Sequence, residues 1–514
     1  MQLSGPITID TTLGSGVLVF RSMTAREALG EPFLFDLEVL SQRDDLTPKD
    51  LLGQPVSVHL DTADDGTRHF TGLVTRLEYQ GSGTDYSTYR LILRPWVWFL
   101  TRSTNSRVFQ QQSVPDIIKK IFRDYGFTDF TESLHETHPV LDYVVQYRET
   151  DFDFVSRLME RAGIYYFFQH TADRHQLVLA DSYGSHEAAP GYETLPFRPP
   201  DVHRDAALEF VERWELTEEV TPGRYSNADF DFTRPNLRLF ATRAAPKDHA
   251  NAAFEVYEYP GRFLENADGD AIASVRLEQS QAAFEVGIGA SNARGLGVGN
   301  LFSLVDHPRG DQNREYLVTA AEYVLRGHDL TSGGGEDGDA YRSTFEARDS
   351  KVPFRLPLST EKPIMRGPQT ATVVGKAGEE IWTDEYGRVK VQFHWDREGL
   401  RDENSSCFVR VSQGWSGDHW GSIHIPRIGH EVIVDFLEGD PDQPIITGRV
   451  YNGQNKPPYD LPANQTQSGI KSRSTKGGGS SNFNEIRFED KLGSEELHMQ
   501  AEKDHTVLVK HDQS

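Results

Sequence analysis

Four histidines, His394, His419, His424 and His430, fall in one short stretch of the chain. Imidazole is the commonest metal ligand and a frequent general base near neutral pH, so the cluster invites a metal or hydrolytic reading. The spacing does not carry it, because no pair stands at the helical or knuckle interval that turns two rings toward one ion, and no zincin motif is present. They read as strand or loop histidines, as do His135 and His138 beside Pro139, and neither metal nor cofactor is expected. Gly414-Trp415-Ser416-Gly417 is not the Gly-x-Ser-x-Gly elbow of a serine hydrolase. Asp151 and Asp153 could be imagined as an acid-base pair, yet both stand where a helix begins and its dipole favours negative charge. Other carboxylate pairs suited to glycoside hydrolysis stay open, since their separation in space decides. Gly295, Gly297 and Gly299 precede a strand-like run rather than the helix of a dinucleotide site, and read as a turn or bulge. Trp382, Trp395, Trp415 and Trp420 could stack bases. A formal charge of -25, from 78 acidic against 53 basic residues, removes the electrostatic half of such a site. Core or interface packing is the better account of these rings, and nucleic acid is not expected as a partner.

The elements that hold these residues are strands. Val389, Val391 and Phe393, then Phe408, Val409 and Val411, then Val432, Val434 and Phe436 stand in three short runs. Apolar and polar residues alternate there with period two, and Glu385-Tyr386-Gly387 and Glu438-Gly439-Asp440-Pro441-Asp442 supply turn chemistry. Such closely spaced strands predict a small closed barrel.

The runs GRVKVQFHWD and IPRIGHEVIVDF within it resemble the OB-fold barrel of the VgrG family, the spike-tip proteins of bacterial type VI secretion systems, which are similar to the hub and spike of contractile phage tails. The segments RPWVWFL, QYRETDFDFVSRLMERAGIYYFFQH and YEYPGRF resemble the family's hub. From Thr466 onward the sequence resembles the start of its shaft. A five-stranded OB barrel elsewhere binds nucleic acid or sugar, so the fold alone does not fix the function.

Length predicts about three domains, and strand signals far outnumber helical ones. Cys407 is the only cysteine, which excludes an intrachain disulfide and a multi-cysteine zinc site. MQLSGPITIDTTLG lacks the pattern of a signal peptide, and no apolar run approaches the roughly 20 residues that cross a bilayer. Strands are predicted at 33–39, 56–60, 68–79 and 89–93, and again at 208–216, 223–232, 281–288, 301–305 and 315–325. Helices are predicted after the cap Ser113 with Pro115 in the first turn and Gly126 at the end, and after the cap Thr150 with Asp153, ending at Gly163. Thr331 to Ala340 is Gly-rich and flexible by composition. The expected fold is mainly β: a hub at 1–350 made of two β-barrels with a few helices, a Pro-rich connector at 351–370, an OB barrel at 371–453, a linker at 454–484, and from 485 to 514 the start of a shaft.

In that shaft Ile486, Phe488, Leu497, Met499, Ala501, Val507 and Val509 alternate with polar residues and predict one apolar face. The outward set is Glu485, Arg487, Glu489, Glu496, His498, Gln500, Thr506 and Leu508. A single chain of short strands cannot enclose such a face, so a threefold β-prism with these seven residues on its axis is expected. The resemblance implies a homotrimeric, non-enzymatic spike that caps the Hcp tube and carries a PAAR-type tip protein or effectors at its far end. It further implies synthesis in the bacterial cytoplasm and export by the type VI machine, with mechanical puncture of a target membrane. Related phage spikes hold a lysozyme domain between barrel and shaft, for which the 452–467 stretch is too short. A secreted cell-wall enzyme and a nucleic-acid-binding OB protein are the alternative classes.

Overall fold

Alternating apolar positions become strands. In Glu31–Ser41, Phe33, Phe35, Leu37 and Val39 are buried, since the pleat sends successive side chains to opposite faces. This strand pairs with Ser87–Arg94 and Val19–Ala28, and beyond Ser87–Arg94 lie Thr67–Ser82, Pro55–Asp61 and Ile7–Thr11. The computed structural model describes residues 6–63, 66–199, 208–327 and 340–512, so the Gly-rich loop lies outside the described residues except for Ala340.

The second strand-rich half contributes Glu315–Arg326, Tyr341–Asp349, Glu285–Ser291 and Val211–Glu218. The two halves are not independent. Val19–Ala28 runs antiparallel to Glu315–Arg326, and both sets enter one sheet of 13 strands among the described residues. An edge strand offers a row of unpaired backbone groups, and here the edges of the two sets satisfy each other. The seam is also locked by side chains. The Arg68 guanidinium lies 4.5 Å from the Phe70 ring centroid and 4.2 Å from that of Tyr323. It donates to Leu296 O at 2.7 Å and to Glu27 at 3.3 Å, and Glu27 also meets His170 Nε2 at 3.0 Å. Glu27, Arg68 and Tyr323 come from three different strands, so this buried charge is paired and hydrogen-bonded, the condition under which burial is tolerated.

The two expected helices form as Val114–Asp124 and Asp151–Ala162. Ser113 Oγ accepts the Asp116 N–H and Thr150 Oγ1 accepts the Asp153 N–H. Gly163, at φ +72°, ends the second helix. Asp151 is buried and accepts the Tyr125 hydroxyl at 2.6 Å, while Asp153 bonds the Thr150 hydroxyl. Both acids stand in the first turn of the helix. A third helix, Asn266–Ser280, was not expected. Its N-cap, Glu265, makes no side-chain cap bond, and its buried face mixes the small Gly269 and Ala273 and the polar Arg276 and Gln279 with a single leucine, Leu277, which blurs the stripe. It packs through Ala273 and Leu277 on Tyr225 of a sheet made by Arg224–Asp229, Leu239–Ala244 and Glu255–Glu258. At the glycine run, a Cβ on Gly295 would fall 2.1 Å from the Tyr192 ring, and Gly299 has φ +85° before the strand Asn300–Val305. The run is a turn that demands bare backbone.

The chain forms two compact units, one of 1–104, 113–139 and 150–362, the other of 105–112, 140–149 and 363–514. The Pro-rich stretch is extended as expected, but its first half is fastened to the first unit. Glu160 accepts the amides and hydroxyls of Ser359 and Thr360. Arg355 donates to Gly163 O at 2.9 Å and Asp181 O at 2.6 Å and pairs with Glu278.

Asp181 itself is buried and receives the amides of His135 and Glu136 and the His138 ring at 3.1 Å. Burial pushes its carboxyl upward, but the hydrogen bonds from His138 and the two amides outweigh this and hold it below the usual carboxylate range. A depressed native value stabilises above the unfolded value of about 3.9 and is lost as pH falls through the native one. Asp181→Asn is expected to lower the urea stability of the first unit by about 2 kcal/mol near neutral pH. The gap from the parent should shrink as the pH drops below the unfolded value, which unfolding curves across that range check; a constant gap would count against the assignment.

Candidate functional site

The second unit is built on a closed barrel. Lys390–Phe393, Gln369–Val374, Glu431–Phe436, Pro444–Val450 and Arg410–Val411 pair in that order, and the Val389–Val409 bridge returns the last strand to the first. Closure leaves no sheet edge to be capped. Val389, Val391, Phe393, Val409, Val432, Val434 and Phe436 fill the interior with Ala371, Val373 and Ile446. Phe408 departs from its run and faces the cations of Lys390 and Arg388, at 5.0 and 5.7 Å.

Two strands from the middle of the hub sequence, Thr104–Ser113 and Val140–Thr150, pair with each other and belong to this unit. The Tyr147 ring meets Trp395 edge-on at 5.5 Å and packs on the barrel core. The Val145 N–H donates to Asp442 Oδ1 at 2.7 Å, Gln369 Nε2 donates to the Tyr147 hydroxyl at 3.1 Å, and Gln110 Nε2 donates to Asn404 O at 2.6 Å. The ribbon is therefore bonded to the barrel from both of its strands. Tyr143, Val145 and Tyr147 alternate and were a legible strand signal, but nothing local says which unit they join.

Beyond the barrel, Gln467–Lys471, Glu485–Glu489 and Glu496–Gln500 form a three-stranded antiparallel sheet. Its register places Ile470 opposite Ile486, Ile486 opposite Met499, and Phe488 opposite Leu497. Since period two sends these five side chains to one side, the sheet has a continuous apolar face. Each of the five is between 44% and 61% exposed in the single chain. The opposite face is polar, with Arg487 and Glu496 paired at 3.0 Å. Glu485, predicted to face outward, is instead buried there. Tyr459 lies over the glycine of the first strand, where a Cβ on Gly469 would come within 2.5 Å of its hydroxyl, and burial, then Glu485, raises that hydroxyl's pKa.

Comparison with known proteins agrees with this geometry. The model described as "Phage tail baseplate hub (GPD)" matches residues 26–328, "Type VI secretion system/phage-baseplate injector OB domain" matches 371–451, and "Bacteriophage T4 gp5 C-terminal trimerisation domain" matches 468–514. The type VI secretion system spike protein VgrG1b of Pseudomonas aeruginosa is 50% identical over 99% of this chain and 68% of its own length. The chain belongs to the VgrG family of type VI secretion spike proteins. The family includes a protein named actin cross-linking toxin VgrG1, of Vibrio cholerae, 34% identical over 94% of this chain and 44% of that one. A solved Escherichia coli type VI component, described as similar to phage tail proteins gp27 and gp5, aligns with TM-score 0.61 at 22% identity over 86% of this chain and all of that one. It shows the shared fold.

In this VgrG chain the four barrel-region histidines do not converge. His394 bonds Thr370 Oγ1 at 3.1 Å, His419 sits on an exposed turn beside Asp418, and the half-buried His430 accepts the Arg427 N–H. Burial first, then the nearby arginines, lower the His430 pKa. Among the described residues, no group of three or more His, Cys, Asp and Glu is arranged to hold a metal ion. Ser416 lies on an exposed hairpin, not on a strand-to-helix elbow. Burial, then Asp142, pushes the Cys407 thiol up to about 12, far from thiolate reactivity. Trp395 stacks on Phe393 at 4.9 Å and donates to Gln369, while Trp382 is half-buried over Gly375.

Of the seven predicted axial residues, the sheet brings together Ile486, Phe488, Leu497 and Met499. Ala501 follows the last strand, and Val507 and Val509 lie in chain without assigned strand structure. Ile470 was missed, because Gln467–Lys471 contains a single apolar residue and a glycine and so shows no alternation. The stretch 454–484, expected as linker, thus contains the first shaft strand.

Tyr147→Ala removes a ring packed on the VgrG barrel core. Its expected cost to the second unit is about 2–3 kcal/mol, read as faster amide exchange at Val432 and Val434. Exchange at Leu37 in the first unit is expected to stay unchanged; equal acceleration at both would refute the local assignment.

Proposed function

We propose that three copies of this chain assemble through the apolar face of the shaft sheet into a mechanical spike. The observation that carries the reading is the set Ile470, Ile486, Phe488, Leu497 and Met499, held in one register on one face and left in water by a single chain. Burying an aliphatic or aromatic side chain stabilises by about 1.5–3 kcal/mol, and threefold association is the arrangement that covers all five in every copy. Ala501, Val507 and Val509 continue the axis when neighbouring chains supply the missing strands. The domain division that follows is a hub to about residue 350, a connector, an OB barrel from about 371 to 453 that also takes in the 105–112 and 140–149 ribbon, and a shaft from about 467.

In this reading the hub end caps the Hcp tube, and the far end of the shaft carries a PAAR-type tip protein or effectors. The chain is made in the bacterial cytoplasm and leaves through the type VI machine, whose contraction drives it through a target membrane. It performs no covalent chemistry itself, and its acidity disfavours nucleic acid as a partner.

Phe488→Asp with Met499→Asp would place six charges on the axis of a trimer without partners, an arrangement of prohibitive cost. Light scattering is expected to give a trimer for the parent and a monomer for this variant, with the protease-resistant carboxy-terminal segment lost and the hub still folded. A trimeric variant with an intact segment would refute the axial assignment. In the parent bacterium, release of the tube protein should stop in the variant strain, and the purified parent should leave cell-wall zymograms uncleared. Clearing that disappears on mutating a carboxylate pair would overturn the non-enzymatic reading.

A further inference from the structure

One exposed feature of the second unit has no part in the barrel or the shaft sheet. Trp415–Gly417 and Trp420–Ser422 form a short hairpin, with Gly417 opposite Trp420 and Trp415 opposite Ser422. The two indoles meet edge to face at 5.0 Å. The arrangement is built into the backbone. A Cβ on Gly417 would come within 2.2 Å of the Trp420 ring, and Gly421 has φ +135° with Trp415 O 2.4 Å from where its Cβ would stand. Larger residues at these glycines would dislodge the pair. Trp415 is nevertheless 65% exposed, Trp420 55% and the adjoining Ile423 70%. A two-stranded hairpin is marginally stable in water, and tryptophans are among the side chains that most often dominate a protein interface.

The base of the hairpin identifies what covers it. The His424 N–H donates to Gln413 Oε1 at 3.0 Å across the base, and Arg449 holds His424 O. Three residues on, Arg427 donates to Arg473 O at 2.8 Å, just past the first shaft strand. The same end of the shaft is fastened to the barrel by Lys476 to Glu379 at 2.7 Å and by the Gly477 N–H to Glu380 at 2.8 Å. The hairpin therefore springs from the point where barrel and shaft are joined, beside the segment that would lie on the threefold axis. A bilayer is the poorer occupant, because the tip presents the fully exposed Asp418, which anionic lipid repels.

We propose that the Trp415–Trp420 hairpin docks on the barrel-and-shaft unit of a neighbouring copy of this chain, so that the interface extends from the shaft sheet onto the OB barrel. The proposal rests on the trimeric reading above and adds a second contact per copy to it. The test is hydroxyl-radical footprinting of the full chain, comparing oxidation of the peptide spanning 413–424 in the native protein and in the urea-unfolded chain. Oxidation several-fold slower in the native trimer is expected, with no change on adding phosphatidylcholine–phosphatidylglycerol vesicles. A trimeric mass with oxidation as fast as in the unfolded chain overturns the docking and leaves the trimer standing. Protection that appears only with vesicles also overturns it and assigns the hairpin to lipid. A monomeric parent overturns both readings. Trp415→Ala with Trp420→Ala should remain trimeric through the shaft but dissociate at lower urea than the parent; an unchanged dissociation midpoint would again sink the docking.

Discussion

A three-stranded sheet has two faces, and a chain that covers only one of them leaves a choice between water and a neighbour. In the shaft the polar face is closed from within by Tyr459 lying over Gly469 and by the Arg487–Glu496 pair, while the face of Ile486 and Phe488 is open. The asymmetry is one of construction. Glycine in the first strand lets the tyrosine approach, whereas the apolar side stays exposed among the described residues. Everything proposed for the protein as a spike depends on that side being closed by other copies, since only then does the terminal strand-poor stretch with Val507 and Val509 acquire pairing partners.

The hub obeys a related constraint. Its two strand sets could each have ended in an edge, and edges left open invite association with other chains. They end in each other instead, along Val19–Ala28 and Glu315–Arg326, and the junction is reinforced by a guanidinium held between Phe70 and Tyr323. One edge of each hub set is thus satisfied by the other, while the apolar shaft face stays open in the single chain.

How much of this could be read from the residues varies with the range of the interaction that decides it. Phe33, Phe35, Leu37 and Val39, or Val432, Val434 and Phe436, announce strands because burial on one face repeats locally every second residue. Ser113 and Thr150 announce helix starts because a cap bond spans only three residues. Asn266–Ser280 escaped because it has neither a cap bond nor a wide apolar stripe, and its helicity is secured by packing on Tyr225. The first shaft strand escaped because Gly469 and Ile470 interrupt the alternation, and its place is set by pairing with Glu485–Glu489. The fusion of the two hub sets and the destination of the 140–149 strand are choices between distant partners, for which no local pattern exists. Among the candidate site residues, Phe488 and Met499 were legible as alternating apolar positions, whereas the burial of Glu485 depends on Tyr459, a residue distant in sequence from the strand it covers.

The ribbon that joins the barrel unit has a topological consequence. Because residues 105–112 and 140–149 belong with 363–514, the chain passes between the two units after Thr104, Gln112, Pro139, Glu149 and Lys362. An ordinary pair of domains hangs on one tether, and a cut there sets them free. Here a nick in the Pro-rich segment breaks one of five crossings of the chain, and four covalent connections between the units remain.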